Sequence, residues 1–562
     1  MYRILCILTL IITLGLSGCP AVNLQNSATA PLFDNLGNYH HPISTKSQLA
    51  QRYFDQGLIL TYGFNHAEAE RSFREAAKLD PNCAICNWGV AFVLGSNINA
   101  AMADEAVSPA WEALQKALQL SDQASEKEKA YIQALAKRYS AKPVEDRKSL
   151  NIAYANAMRE VAKRFPDDLD AATLFADAVM NTMPWDYWQD NGEPKPETQE
   201  ILQTLEAVLK RNPNHPGANH LYIHTVEAVK PELGIAAADH LSNLVPGSGH
   251  LVHMPSHIYI RVGRYHDAVV ANQKAIAADK EYITQCHKQG MYPLAYVPHN
   301  HHFLWAAATM EGNQKLAMQA AYDTAAMADE QKMREPGYGT LQHYYSIPLY
   351  TMTRFGKWDE ILAETSPAKD LQYVNGVWHY ARGTAFTAKG QFQEATQELE
   401  KLKAIATDPA LIKVTIWDIN TTADLLKIAV EVLTGKLAAK QGDYNQAIAH
   451  LKTAVSLEDK LNYDEPPPWH YPVRQSLGAV LLQANQPAEA EIVYQQDLQR
   501  FPENGWSLAG LAQSLEAQGK TEAAQAVQKR FQAAWKNADL PMTLAQLKAS
   551  AQKLVFTTSS NL

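Results

Sequence analysis

The chain has 562 residues, with 50 Lys and Arg against 59 Asp and Glu and a formal net charge of −9. Apolar residues make up 46% and charged residues 19%, which suits a folded chain and is too apolar for a disordered one. The mild acidic surplus and the lack of a long basic run give no electrostatic footing for nucleic acid, so none is expected as a partner.

At the N-terminus, Arg3 supplies a positive charge and the run from Ile4 to Leu16 is almost wholly apolar. It is too short to span a bilayer as a lone helix and matches a signal-peptide core. It ends Leu16-Ser17-Gly18-Cys19, which resembles the lipobox of bacterial lipoproteins. That resemblance implies that residues 1–18 are removed and that Cys19 carries a lipid. The mature protein would then be extracytoplasmic, periplasmic or at the cell surface, and anchored to a membrane. An ordinary secretory signal is the alternative. Residues 19–48 read as a polar tether. In an oxidising compartment Cys83 and Cys86 can close a local disulfide, and a structural bridge is a simpler reading than redox catalysis.

Helix-period patterns then run almost from end to end, which predicts an all-α fold. Phe64, Ala69, Phe73, Ala76 and Pro81 fit the pattern of the tetratricopeptide repeat, as do Gly442, Ala447, Leu451 and Ala454. Gly356 and Gly390 lie 34 residues apart, as do Asn485 and Gly519, and further turns fall near Lys230, Gly263 and Gly312. The chain therefore resembles the tetratricopeptide-repeat family over most of its length. The resemblance implies a right-handed superhelix of antiparallel helical hairpins, because one hairpin cannot bury its own apolar stripe. The organisation expected is repeats over 49–165, a His-rich centre over 166–350, more repeats over 351–425, and C-terminal repeats over 426–562. Arrays of this family bind peptides or partner proteins, so protein partners are expected on the C-terminal repeats.

Twelve of the 19 histidines fall between His215 and His302. In the family, the first helix of each repeat lines the concave groove. With Lys230, Gly263, Gly312 and Gly356 as turns, the groove positions carry His220, His224 and Glu227, then His250, His253 and His257, then His299 and His302, then His343. Their spacings put each set on one helix face independently of the family numbering. Imidazoles aimed at one surface repel when protonated, and a bound cation holds them neutral. Nitrogen donors favour a transition metal over Mg or Ca, with copper ranked first and zinc second. His220, His224, His253, His257, His299 and His302 are the leading ligands, with His250 and His343 outside them. Glu227 is a further ligand or a general base. Pro255 can break its helix while leaving His253 and His257 close. His215 reads as a loop cap and His301 as pointing away. His240 and His266 read as surface or packing residues. The blander alternative is a groove for an acidic peptide.

Around this set, Trp185, Asp186 and Trp188 open an insertion between hairpins that can serve as a lid stacking an aromatic substrate, or tuck under its own indoles. Arg261 is placed to hold a substrate carboxylate or to pair with a neighbouring acid. The segment Tyr463 to Pro472 is Pro-rich and aromatic and is expected to pack on the array. No GxxxxGK[ST], GxSxG or HExxH motif is present; Leu221 stands where the last would need Glu. The leading functional expectation is a copper-dependent oxidoreductase acting on a small, aromatic substrate. The alternatives are a non-enzymatic scaffold at the envelope, a zinc-dependent hydrolase, and a metal-storage or metal-delivery protein.

Overall fold

The computed structural model describes residues 30–286 and 292–540. The expected signal segment and Cys19 lie outside them. The described chain is all-α, as the periodicity predicts, and its helices pack in sequence from Gln48–Tyr62 against His66–Leu79 to Gly505–Ala517 against Thr521–Ala534. The one two-stranded ladder among the described residues pairs Thr415–Ile416 with Asn420–Thr421. No described helix is long and apolar enough to cross a membrane.

The turns fall where the sequence pattern puts them. Gly263, Gly312, Gly356, Gly390, Gly442 and Gly519 all take left-handed backbone, with φ between 70° and 89°. Only a residue without Cβ enters that region freely, so these positions end each first helix and reverse the chain. Lys230 differs: its φ is −129°, and the chain passes through a short 3₁₀ turn, Pro231–Gly234, instead. Close helix contact also needs small residues. A Cβ on Gly57 or on Gly89 would lie 2.7 Å or 2.5 Å from the Phe73 ring, so one phenyl wedges between two successive first helices. Tyr494 sits in the same way between Gly478 and Gly510.

Two features close the array beyond what the repeat pattern conveys. The C-terminal repeats fold back onto the central ones: Tyr265 donates to the Pro502 carbonyl at 3.0 Å and the Trp506 indole to the Thr309 carbonyl at 3.0 Å. The Asp539 carboxylate accepts from the backbone N–H groups of Gln314 and Lys315 at 2.6 and 2.9 Å.

The second feature corrects the expectation of a loose tether. Residues 30–47 lie against the array, with the Gly247 N–H donating to Asn35 O at 2.8 Å and Gln56 holding both Pro31 and Phe33. The pin is Asp170, a buried carboxylate that meets Tyr39 Oη at 2.7 Å, His41 Nδ1 at 2.6 Å, His215 Nε2 at 3.3 Å and the Tyr62 hydroxyl. Burial pushes its pKa up, but hydrogen bonds from His215 and His41 more than offset this and hold it well below the usual range. The tether was read from polarity with scattered Pro and Gly, but Tyr39 and His41 find partners inside the fold while Asp34, Asn38 and His40 stay exposed.

Candidate metal centre

Three neighbouring hairpins supply the histidines. His220 and His224 stand one turn apart on the helix Pro216–Val226. His250, His253 and His257 come from two short helices, Gly249–His253 and Pro255–Arg261, and His299 from Val297–Met310. Pro255 does interrupt the ladder, yet Met254 keeps helical dihedrals of −50° and −37°, so the two short helices continue one another and hold their imidazoles together.

Six imidazoles gather as two triads: His220, His224 and His250, and His253, His257 and His299. Within each, one donor atom per residue lies within 4.8 Å of the others. His220 Nε2 is 3.1 Å from His250 Nε2, and His253 Nε2 is 2.8 Å from His257 Nε2. The expectation is corrected in one exchange. His250, read as an outer residue, completes the first triad. His302, read as a leading ligand, stands apart with His343: their rings are 5.4 Å apart, His302 stacks on Trp305 at 5.1 Å, and His343 Nδ1 meets the Tyr373 hydroxyl at 2.9 Å.

Outer contacts at Nδ1 orient four of the six rings, those of His220, His224, His253 and His257. His220 Nδ1–H donates to the Tyr62 carbonyl at 2.5 Å. His253 Nδ1–H donates to Asn272 Oδ1 at 2.7 Å, and the Asn272 amide is oriented by its own bond to the Ala268 carbonyl at 2.8 Å. Glu227 reaches both triads, with one oxygen 3.1 Å from His224 Nδ1 and the other 3.0 Å from His257 Nδ1. Carbonyl, amide and carboxylate partners at Nδ1 leave the Nε2 lone pairs free, the arrangement by which proteins orient and strengthen imidazole ligands. His253 Nε2 lies 2.8 Å from His257 Nε2 and accepts its proton, which the neighbouring carboxylates hold in place, and a bound ion would stand where that proton is. Imidazole nitrogens around a first-row ion at ~2.0–2.1 Å stand about 3 Å apart or more, so a slight opening admits one. The buried atoms His224 Nε2, His250 Nδ1 and His299 Nδ1 have no hydrogen-bond partner in the protein.

Electrostatics separate one ring from the rest. Burial, reinforced by neighbouring imidazoles, pushes His220, His250, His253 and His299 well below the ordinary histidine value. Burial also pushes His257 down, but Glu227 and Glu465 outweigh it and hold His257 up at about 10. Glu227 itself is pushed up by burial and brought below the usual range by His257 and His224. Four imidazoles held neutral are ready donors, and His257, held protonated by two carboxylates, becomes a fifth once it gives up a proton to an incoming ion.

Several residues at the site carry no local sequence signal. Glu465 comes from the Pro-rich segment, which packs on the array as expected, and its carboxylate lies 2.8 Å from His257 Nδ1. Phe64 faces the first triad, with ring centroids 4.5, 5.8 and 5.4 Å from His220, His224 and His250. Phe303 faces the second, 4.7, 4.5 and 4.9 Å from His253, His257 and His299. Trp417, in the turn between the two short strands, is 6.1 Å from His299.

The insertion divides its roles. Trp185 is 43% exposed and edge-on to His224 at 5.2 Å. Trp188 anchors the loop by donating to the Thr225 carbonyl at 2.8 Å, and Asp186 pairs with Lys195 away from the centre. Arg261 does not face the imidazoles; it donates to the Ala228 carbonyl at 3.3 Å and lies over the Tyr463 ring at 5.2 Å. His215 caps its helix by accepting from the Ala218 N–H at 3.1 Å. Cys83 and Cys86 are joined by a disulfide at the start of the helix Ala84–Val93.

Residues 50–83 match the tetratricopeptide-repeat family model. No curated protein matches the sequence. Among solved structures, the human IFIT1 dimer with m7Gppp-AAAA is similar at 13% identity, covering 87% of this chain and 90% of that one with a TM-score of 0.29. Yeast Tom70 is similar at 13% identity over 91% and 96% of the two chains, with a TM-score of 0.27. The Cut9–Hcn1 hetero-tetramer of APC/C gives 12% identity, 89% and 90% coverage, and 0.27.

Proposed function

We propose that this helical-repeat protein is an interaction scaffold whose middle repeats hold a transition-metal centre at the two histidine triads. The scaffold reading is supported by the stacked hairpins and by the tetratricopeptide repeat at residues 50–83. The metal reading is carried by one observation: six imidazoles, five of them buried, converge as two triads with Nε2 atoms 2.8–3.1 Å apart within them. His224 Nε2, His250 Nδ1 and His299 Nδ1 are buried without a hydrogen-bond partner, at a cost of about 1–3 kcal/mol each, which favours a ligand over plain packing.

Copper ranks first for an all-nitrogen donor set and zinc second. With copper the centre is a redox one, an oxidoreductase acting on a small, aromatic substrate that approaches past Trp185. The zinc-hydrolase version ranks second, with Glu227 paired to His224 and His257 rather than turned to a water position. The mature chain is placed outside the cytoplasm on a lipid at Cys19, a reading supported by the lipobox-like segment and by the Cys83–Cys86 disulfide.

The test is metal analysis of the purified chain after copper loading and desalting, beside the double variant His253→Ala/His257→Ala. Stoichiometric copper that falls in the variant supports the centre. Absence of stoichiometric copper or zinc leaves the scaffold alone. Membrane attachment is checked separately by Cys19→Ser, which is expected to release the protein into the soluble fraction.

A further inference from the structure

We propose that the two triads hold a coupled pair of ions, one in each, joined by a single small exogenous ligand. The inference rests on the metal reading above and goes beyond it, because two ions can also bind as strangers.

The first argument is the way the triads are built. Each takes a pair of histidines four residues apart on one helical run (His220 and His224; His253 and His257) and a third from the following hairpin (His250; His299). Each is faced by one phenyl ring, Phe64 or Phe303, within 6 Å of all three imidazoles. Each has one exposed tryptophan edge-on to one of its rings, and both tryptophans take left-handed backbone: Trp185 at φ 62° beside His224, and Trp417 at φ 53° beside His299. Two bulky residues held in that region mark positions where the surroundings impose a conformation the residue disfavours. The two half-sites thus repeat one another in donors, wall and rim.

The second argument is that the half-sites touch. His224 of the first triad lies 5.9 Å from His257 of the second, ring centre to ring centre, and His250 lies 6.1 Å from His253. A single carboxylate, Glu227, is the outer partner of one ligand from each triad. Two metal ions placed there feel one another strongly, since like charges at such range in a buried site repel with little screening. Glu227 offsets part of that repulsion, and an anion lying between the ions offsets the rest.

The third argument concerns what fills the remaining coordination positions. Three imidazoles leave a first-row ion open to further ligands. The ring that faces all three imidazoles of each triad is a phenyl, which cannot donate. The open positions therefore fall to a ligand from solvent, and the burial of the donors restricts it to a few atoms: hydroxide, azide, or a molecule of dioxygen size.

The experiment uses the full chain loaded with copper(II), comparing the copper content with the paramagnetic copper counted by electron paramagnetic resonance, with and without azide as the probe ligand. Two copper ions per chain, most of them silent because their spins pair through the bridge, is the expected result. Azide is expected to produce a new absorption band. His299→Ala, which breaks one triad, is expected to leave one copper per chain with its full signal. Two copper ions that are both fully visible overturn the coupling and leave the metal centre standing. A chain that takes up no stoichiometric copper removes the metal reading, and this inference with it.

Discussion

The most discriminating single change is at Asn272, which touches no metal position. Its Oδ1 accepts from His253 Nδ1 at 2.7 Å, and the contact is fully buried. Asn272→Ala removes the acceptor. The His253 proton then either stays on Nδ1 with only the longer 3.3 Å contact to Ser256 Oγ, at a cost of about 1–3 kcal/mol, or moves to Nε2 and blocks the nitrogen that faces His257. Either route weakens metal binding by a similar amount. At ~1.4 kcal/mol per tenfold, the copper affinity falls roughly 10- to 100-fold, the range seen when an outer partner of an imidazole ligand is lost. Asn272→Asp keeps an acceptor in place and is expected to hold or raise the affinity. The assay is competition against a chelator of known copper affinity, with circular dichroism confirming that both variants fold. Equal affinity in Asn272→Ala and the parent chain would refute the tautomer assignment on which the ligand set depends.

Four further outcomes follow from the same contacts. Copper(II) binding is expected to quench tryptophan fluorescence, and Trp185→Phe with Trp417→Phe should remove most of that quenching, since these indoles lie 5.2 and 6.1 Å from His224 and His299. Asp170→Ala strips a buried carboxylate from His41, His215 and two tyrosines and is expected to cost ~3–5 kcal/mol in urea unfolding, with earlier proteolysis of residues 30–47. Because the Asp170 pKa is depressed in the fold, its contribution is present above the unfolded value near ~4 and is lost as pH falls below it. Glu458 runs the other way: burial raises it to about 8, so stability falls as pH rises from ~4.3 toward 8, and Glu458→Gln should flatten that slope. Gly57→Ala forces a Cβ against the Phe73 ring and is expected to destabilise the first repeat by ~1–3 kcal/mol, read as a lower urea midpoint.

The repeat turns and the histidine faces were legible in the sequence because both are local. A left-handed glycine at Gly263 or Gly356 sits a fixed distance from the helix it ends, and helical spacing puts His220 beside His224 wherever that helix packs. The ranking of His250 below His302 failed for the same reason. Register places both on inner faces, and only the packing of one hairpin on the next decides that His250 meets His220 while His302 turns to Trp305 and His343. Glu465, Trp417 and the docking of residues 30–47 were out of reach, because contacts between distant segments leave no periodic trace. Arg261 was placed by the same register near the groove, and the Tyr463 ring, which comes from the Pro-rich segment, claims it instead.

Glu465 meets His257 across more than two hundred residues of chain. Synthesis from the N-terminus therefore delivers all six imidazoles before the acid that steadies one of them, and the cage is finished only when the last third has wound back into place. Any ion that enters before then meets a half-built cage from which it can still escape.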